Sequence, residues 1–285
     1  MVRNALTRPV LGAATALLLG AAATVGLGAA PASAQDVQQT AAAPDFAGIV
    51  ALNNCSGSLV ALPDSQPGDP ALVLTNGHCL ESGMPSPGEV VVDEPSSRSF
   101  TLLDADAGDL GTLKATKISY ATMTDTDMAI YETDTTYEAV SAEYGIEPLE
   151  IAAERGTEGA PIDVVSGYWK KIYSCNLDAF VHELHEDGWV TKDSLRYTSD
   201  CQTVGGTSGS PVIDRDSGKV VGVNNTGNES GGECTLNNPC EVDENGEVTV
   251  REGINYGQQV HHLTKCVTTG NKVDLSLPEC ALPKP

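Results

Sequence analysis

The sequence predicts an all-β protein, and two observations carry that expectation. Among its 285 residues are 29 glycines and 16 prolines but only 5% aromatic residues, a composition suited to strands and turns and not to long helices. Its apolar runs are also short and are separated by clusters of Pro, Gly, Asp and Ser. Hydrophobic residues make up 40% of the chain and charged residues 19%, enough to bury a core and to exclude wholesale disorder.

Taken in order, the runs fall into two β-rich halves. The first holds Gly48 to Leu52, Ser58 to Leu62, Ala71 to Leu74, Val90 to Val92 and Lys114 to Tyr120, punctuated by Pro63 to Pro70 and Glu81 to Gly88. The second holds Ile162 to Val165, Pro211 to Ile213, Val220 to Val223 and Val248 to Tyr256, with Asp214 to Gly218 as a hairpin turn. A break near Arg155 to Pro161 divides residues 45–160 from 161–285. Val260, Leu263 and Val267, spaced i, i+3 and i+7, predict a helix near the C-terminus.

Ahead of these halves, Arg3 and Arg8 precede an apolar stretch from Val10 to Ala30, and Ala32-Ser33-Ala34 supplies a small-residue cleavage site. That pattern predicts a signal peptide at 1–34, with 35–44 a linker or short propeptide, and hence a secreted, extracellular protein. An uncleaved anchor is the rival reading; Gly26, Gly28 and Pro31 favour cleavage and no stable membrane association afterwards. The eight cysteines, at 55, 79, 175, 201, 234, 240, 266 and 280, form an even set behind that signal, which predicts disulfides. Their spacing lacks the close pairs of a structural zinc site, and no metal or cofactor is expected. Eight cysteines allow 105 pairings, so the residues alone leave connectivity open. A formal net charge of −23 makes nucleic acid a poor partner. It would keep a secreted monomer soluble.

Three motifs carry chemistry. Asn76-Gly77-His78-Cys79 places a histidine directly after an apolar strand. Asp127-Met128-Ala129-Ile130 puts a carboxylate at the mouth of another. Val204-Gly205-Gly206-Thr207-Ser208-Gly209-Ser210-Pro211 presents a serine in a glycine-rich turn. A serine hydroxyl must lose its proton as it attacks a carbonyl, and a neutral imidazole accepts it near pH 7. A carboxylate on the other ring nitrogen fixes the tautomer and stabilises the imidazolium. Glycines let backbone N–H groups approach a developing oxyanion, and Gly206 and Ser208 are the donors expected here.

In order and together, these motifs resemble those of secreted bacterial members of the trypsin/chymotrypsin-like serine peptidase family, over roughly residues 45 to 268. The resemblance implies two six-stranded antiparallel β-barrels, a catalytic cleft between them and a C-terminal helix. It implies an endopeptidase that hydrolyses polypeptide through an acyl-enzyme at Ser208, with His78 as base and Asp127 orienting it. Asn54 to Val60 resembles the strand whose cysteine pairs with the one after the catalytic histidine, which implies Cys55 to Cys79. Cys175 to Cys201, Cys234 to Cys240 and Cys266 to Cys280 are preferred for the rest, with Cys201 to Cys234 as a rival. Thr203, Asn224, Asn225 and Gly227 match the substrate pocket. Thr203, Gly205, Gly206 and the Gly-Ser-Pro after Ser208 are similar to the glutamyl endopeptidase branch. Asn224, however, stands where that branch has a histidine, and Asp200 would invite a basic side chain, so specificity stays open. Thr207 replaces the aspartate that receives a new N-terminus in digestive enzymes, which argues against activation by that insertion.

Asp125 is the rival of Asp127 as acidic partner. His182-Glu183-Leu184-His185-Glu186 matches no zinc motif and reads as a solvated loop or short helix. Asp104, Asp106 and Asp109 fail the calcium-loop pattern and read as an acidic surface loop. His261 and His262 flank the terminal helix face. Ser210 spoils the G-x-S-x-G elbow of an α/β-hydrolase. A catalytically silent homologue acting as an extracellular binding protein is the alternative function.

Overall fold

Alternation along the strands decides where the layers of the molecule lie. In β3 (Pro70–Thr75), Ala71 and Val73 point into one apolar core while Leu72 and Leu74 join a second apolar layer. A strand covered on both faces is apolar on both, as β3 is from Pro70 to Leu74, and the buried Thr75 hydroxyl at its end donates to the Ser56 carbonyl at 2.8 Å. Each leucine buried this way contributes about 1.5–3 kcal/mol. The computed structural model describes residues 44–285. The expected signal peptide at 1–34 and nearly all of the expected 35–44 linker or propeptide lie outside the described residues.

The first half contains β1 (Ile49–Ala51), β2 (Ser56–Ala61), β3, β4 (Val90–Pro95), β5 (Ser99–Leu103), β6 (Asp109–Thr122) and β7 (Met128–Thr136). Hydrogen bonding runs β1-β5-β6-β7-β3-β2 and returns from β2 to β1, closing a six-stranded antiparallel ring, with β4 laid against β6. Closure removes free edges. A helix, α1 (Tyr137–Tyr144), and β8 (Leu149–Glu150), which pairs parallel with β2, lead out of the ring.

In the second half, β9 (Pro161–Ser166), β10 (Lys171–Glu186), β11 (Trp189–Tyr197), β12 (Pro211–Asp214), β13 (Val220–Gly227) and β16 (Asn255–Gln259) form another closed ring, ordered β9-β10-β11-β16-β13-β12. β14 (Cys240–Val242) and β15 (Val248–Val250) extend one edge from β10. The run expected from Val248 to Tyr256 is therefore two strands interrupted at residues 251–254, whereas Asp214 to Gly218 is the β12–β13 turn. The chain is all-β, two barrels of chymotrypsin-like type, each around its own core.

Two segments depart from expectation. His182 to Glu186 is neither loop nor helix but the end of the 16-residue strand β10, held to β11 by pairs such as His185 with Val190. The helix expected around Val260, Leu263 and Val267 is a five-residue 3-10 turn, His261–Lys265. Cys266 follows and is bound to Cys280, after which Val267 enters β17 (Val267–Thr268), paired with β18 (Lys272–Val273). The disulfide and the burial of Leu263 draw the segment down before a second helical turn can form.

The remaining disulfides join Cys55 to Cys79, Cys175 to Cys201 and Cys234 to Cys240. The layer shared by the barrels joins Val60, Leu72 and Leu74 from the first to Val223 and Val260 from the second, and Cys280 and Leu282 complete it. Beyond β18 the chain crosses back: Tyr120 Oη donates to the Pro283 carbonyl at 3.2 Å, and the amide of the nearby Asn271 donates to the Pro70 carbonyl at 2.9 Å.

Candidate active site

His78 stands on the short 3-10 turn Gly77–Cys79 that follows β3. That turn is fixed from several sides. The Cys55–Cys79 disulfide ties it to the start of β2, and the Asn76 amide donates to the Asp127 carbonyl at 2.8 Å. The buried Arg98 guanidinium donates to the Cys79 carbonyl at 2.6 Å and to Asn54 Oδ1 at 2.6 Å. Gly77 has no room for a side chain, since a Cβ there would meet the Thr122 carbonyl oxygen at 2.2 Å.

Asp127 precedes β7, and its side chain is 2% exposed. One carboxylate oxygen accepts from the backbone N–H of His78 at 3.0 Å, and the other meets His78 Nδ1 at 2.6 Å. Burial disfavours charge on His78, but the Asp127 carboxylate, by charge and hydrogen bond, and Glu186 at longer range outweigh it and hold the imidazole pKa above its ordinary value. The rival Asp125 lies outside this arrangement. It pairs with Lys192 at 2.9 Å, at the surface.

Ser208 belongs to the second barrel yet is seated against the first, for its carbonyl accepts from the Ser56 N–H at 2.8 Å. Gly209 follows with φ of +81°, and a Cβ there would lie 2.1 Å from the Ser56 oxygen, so only glycine fits. The Ser208 hydroxyl donates to the Asn225 carbonyl at 3.1 Å. Among the described residues no hydrogen bond joins it to His78, although both line one cleft of about 120 Å³. The backbone N–H groups of Gly206 and Ser208 donate to no acceptor among the described residues, which leaves both free for a ligand oxygen.

Thr203, Asn224, Asn225 and Gly227 also line that cleft. Thr203 Oγ1 donates to Asn255 Oδ1 at 2.8 Å, and Asn255 in turn donates to the Cys201 carbonyl at 2.8 Å, giving a neutral polar floor. Asn224 directs its amide nitrogen to Thr207 Oγ1 at 3.1 Å. His78 lies beside Cys55 and Cys79, but both sulfurs are in the disulfide, which leaves no thiolate for a metal. In the Asp104 loop, the carboxylate of Asp104 accepts from the N–H groups of Asp106 and Gly108.

The opposite wall escaped the sequence reading. The end of β10 and the start of β11 supply Leu184, Glu186 and Trp189, with Met84 and Met123 from the first barrel. Glu186 accepts from the Asn237 N–H at 2.7 Å, and its burial raises its pKa despite that bond. Trp189 donates its indole N–H to the Pro85 carbonyl at 2.8 Å. The Asp187-Gly188 pair between alternating segments is the turn signal that would have revealed this hairpin.

The sequence model of the trypsin-like peptidase domain matches residues 55–223. Among solved structures, the active form of the Rv3671c protease from M. tuberculosis is 17% identical, with 83% of this chain and 82% of that chain covered and a TM-score of 0.45. The MamO protease domain from Magnetospirillum magneticum is 15% identical, with 75% and 92% covered and a TM-score of 0.46. The protease Anisep from Arthrobacter nicotinovorans is 17% identical, with 77% and 92% covered and a TM-score of 0.43. No curated protein matches the chain.

Proposed function

The chain belongs to the trypsin-like peptidase family, and on that premise we propose that it is a secreted serine endopeptidase working through His78, Asp127 and Ser208. The observation that carries the reading is the 2.6 Å contact between Asp127 and His78 Nδ1, in the cleft that Ser208 lines. With Nδ1 donating to Asp127, Nε2 is the free base. Rotation about the Ser208 Cα–Cβ bond takes its hydroxyl from Asn225 toward that base.

In the reaction, Ser208 Oγ attacks the scissile carbonyl carbon as its proton passes to His78 Nε2. Negative charge gathers on the substrate oxygen, which the N–H groups of Gly206 and Ser208 receive. The C–N bond then breaks, the leaving amine takes the proton from His78, and an ester to Ser208 remains. Water, deprotonated by His78, cleaves that ester and restores the hydroxyl. Asp127 holds the ring and stays ionised throughout.

Supporting an oxidising, extracellular setting are four disulfides, with no free cysteine among the described residues. No helix among the described residues is long and apolar enough to cross a membrane. Among the described residues, the cleft is lined by Glu186 and Glu229 and by no lysine or arginine. With the amide nitrogen of Asn224 engaged by Thr207, this favours neutral or basic substrate side chains over the acidic ones that a glutamyl endopeptidase selects.

One observation favours a second reading, a catalytically silent homologue that binds protein: the Ser208 hydroxyl bonds to Asn225 and not to His78. Labelling with a fluorophosphonate separates the two. Stoichiometric modification of Ser208, lost in Ser208→Ala and His78→Ala, supports the peptidase, and a peptide library then defines the pocket. Folded, fully oxidised protein that stays unlabelled would sink that reading and leave the binding role.

A further inference from the structure

The unpaired N–H groups of Gly206 and Ser208 are each half of a planar peptide, so whatever grips the carbonyl on the other side sets their direction. For Ser208 that carbonyl is Thr207's, and it accepts from the Ser210 N–H at 3.0 Å inside the same turn. For Gly206 the carbonyl is Gly205's, and it accepts from the indole Nε1–H of Trp169 at 2.7 Å. Two consecutive glycines flank this second peptide, and Gly206 has φ of +89°. A pair without Cβ atoms turns over readily, and Gly205 has open space where a side chain would stand. The indole bond is therefore the restraint that decides which way the peptide faces.

Trp169 lies in the β9–β10 turn, and that turn is anchored for the purpose. Its backbone N–H donates to Ser166 Oγ at 3.2 Å, Ser166 and Ser56 share a hydroxyl bond at 3.0 Å, and Ser56 Oγ donates to the Gly206 carbonyl at 3.1 Å. Tyr168 packs edge-on against the indole at 5.0 Å between ring centres. Nearby, Lys170 is tied to Asp109 of the first barrel at 2.8 Å. Trp169 is nonetheless 52% exposed, a placement that burial of apolar surface does not account for.

We infer that Trp169 is a positioning residue for the oxyanion-binding N–H of Gly206, holding the Gly205–Gly206 peptide with that N–H turned into the cleft. This inference rests on the peptidase reading, and it adds a residue that touches no substrate atom. Trp169→Phe keeps an aromatic ring beside Tyr168 and removes only the donor. Losing an oxyanion donor outright lowers kcat by about 10²–10³. Because the freed peptide still visits the aligned orientation, the expected loss here is about 10- to 100-fold.

The test compares wild type with Trp169→Phe for kcat, KM and the affinity of a peptide aldehyde, whose adduct with Ser208 carries the oxyanion. The inference expects kcat and aldehyde affinity to fall together while KM and the melting temperature stay put. A kcat within about twofold of wild type, or a loss confined to KM or stability, overturns it. The orientation is also read without catalysis, from the Gly206 amide resonance of isotopically labelled protein. A Gly206 N–H residual dipolar coupling unchanged in Trp169→Phe overturns the inference, and one that changes or is lost to exchange broadening supports it. That measurement holds even where wild type fails to take the fluorophosphonate, the outcome that sinks the peptidase reading alone.

Discussion

Asp127→Asn is the sharpest perturbation of the His78 site, because it changes one atom and its geometric consequence is forced. The carboxylate has two occupied oxygens: one accepts from the His78 backbone N–H at 3.0 Å, the other faces Nδ1 at 2.6 Å. The backbone N–H is a fixed donor, so the asparagine oxygen must remain there and the NH2 must face the ring. A donor opposite Nδ1 makes that nitrogen the acceptor and places the ring proton on Nε2, the position that receives the serine proton in the proposed mechanism. The expected loss in kcat is about 10,000-fold, the scale measured for that exchange in this kind of triad. It corresponds to about 5.5 kcal/mol in the barrier. His78 should also lose its upward shift, since burial then acts against its charge with only Glu186 opposing. Turnover of a peptide anilide between about pH 5 and about pH 9 measures the first effect, and the imidazole resonances of His78 measure the second. A loss smaller than about tenfold in folded protein, or an unmoved His78 titration, would refute the reasoning.

Glu186→Gln removes a carboxylate that holds the His78 pKa up, so the acid limb of kcat/KM should move to lower pH. A limb that stays in place would separate Glu186 from the base. His261 is pushed down to about 4, by burial first and then by His262 and Arg155. The unfolded chain therefore binds the extra proton at higher pH, and this residue withdraws stability as pH falls from about 6.5 toward about 4. In His261→Gln the drop in melting temperature from neutral to acid pH should be smaller than in wild type, as read by calorimetry. Replacing both Cys266 and Cys280 by serine opens a loop of sequence separation 14 and should cost about 3 kcal/mol in urea unfolding. An unchanged midpoint would mean that the terminal packing holds without the bond.

Much of this site was legible because its residues sit where an apolar strand meets a turn. His78 follows β3 and Asp127 precedes β7, and each strand is apolar enough to be read from the chain alone. The wall built by Glu186 and Trp189 was hidden for the opposite reason. β10 leaves its barrel as a long arm with polar residues on both faces near its end, so Asp178, His182 and Glu183 interrupt the hydrophobic pattern and mimic a loop. The helix α1 also passed unread, although Thr136 caps its first turn through Ala139 N–H and Gly145 closes it with φ of +68°. At the C-terminus the spacing of Val260, Leu263 and Val267 was genuine helical periodicity. What overrode it was a covalent bond between Cys266 and Cys280, whose effect on backbone direction no periodicity records. The role inferred for Trp169 depends on a hydrogen bond across 36 residues, and local patterning carries no trace of that.

The segment from Asn271 to Pro283, which crosses back to the first barrel, also imposes a timetable. Its bonds to Pro70 and Tyr120 span 201 and 163 residues of sequence. Contacts so far apart close late, after the hairpins of each barrel have formed. Val223 and Val260 of the second barrel cover Val60, Leu72 and Leu74 first, and Cys280 and Leu282 complete the layer. His78 and Asp127 are thus made early, while the apolar layer uniting their barrel with that of Ser208 is finished only as residues 271 to 283 arrive. The last part of that layer to close is thus the part farthest in sequence from the first-barrel residues it covers.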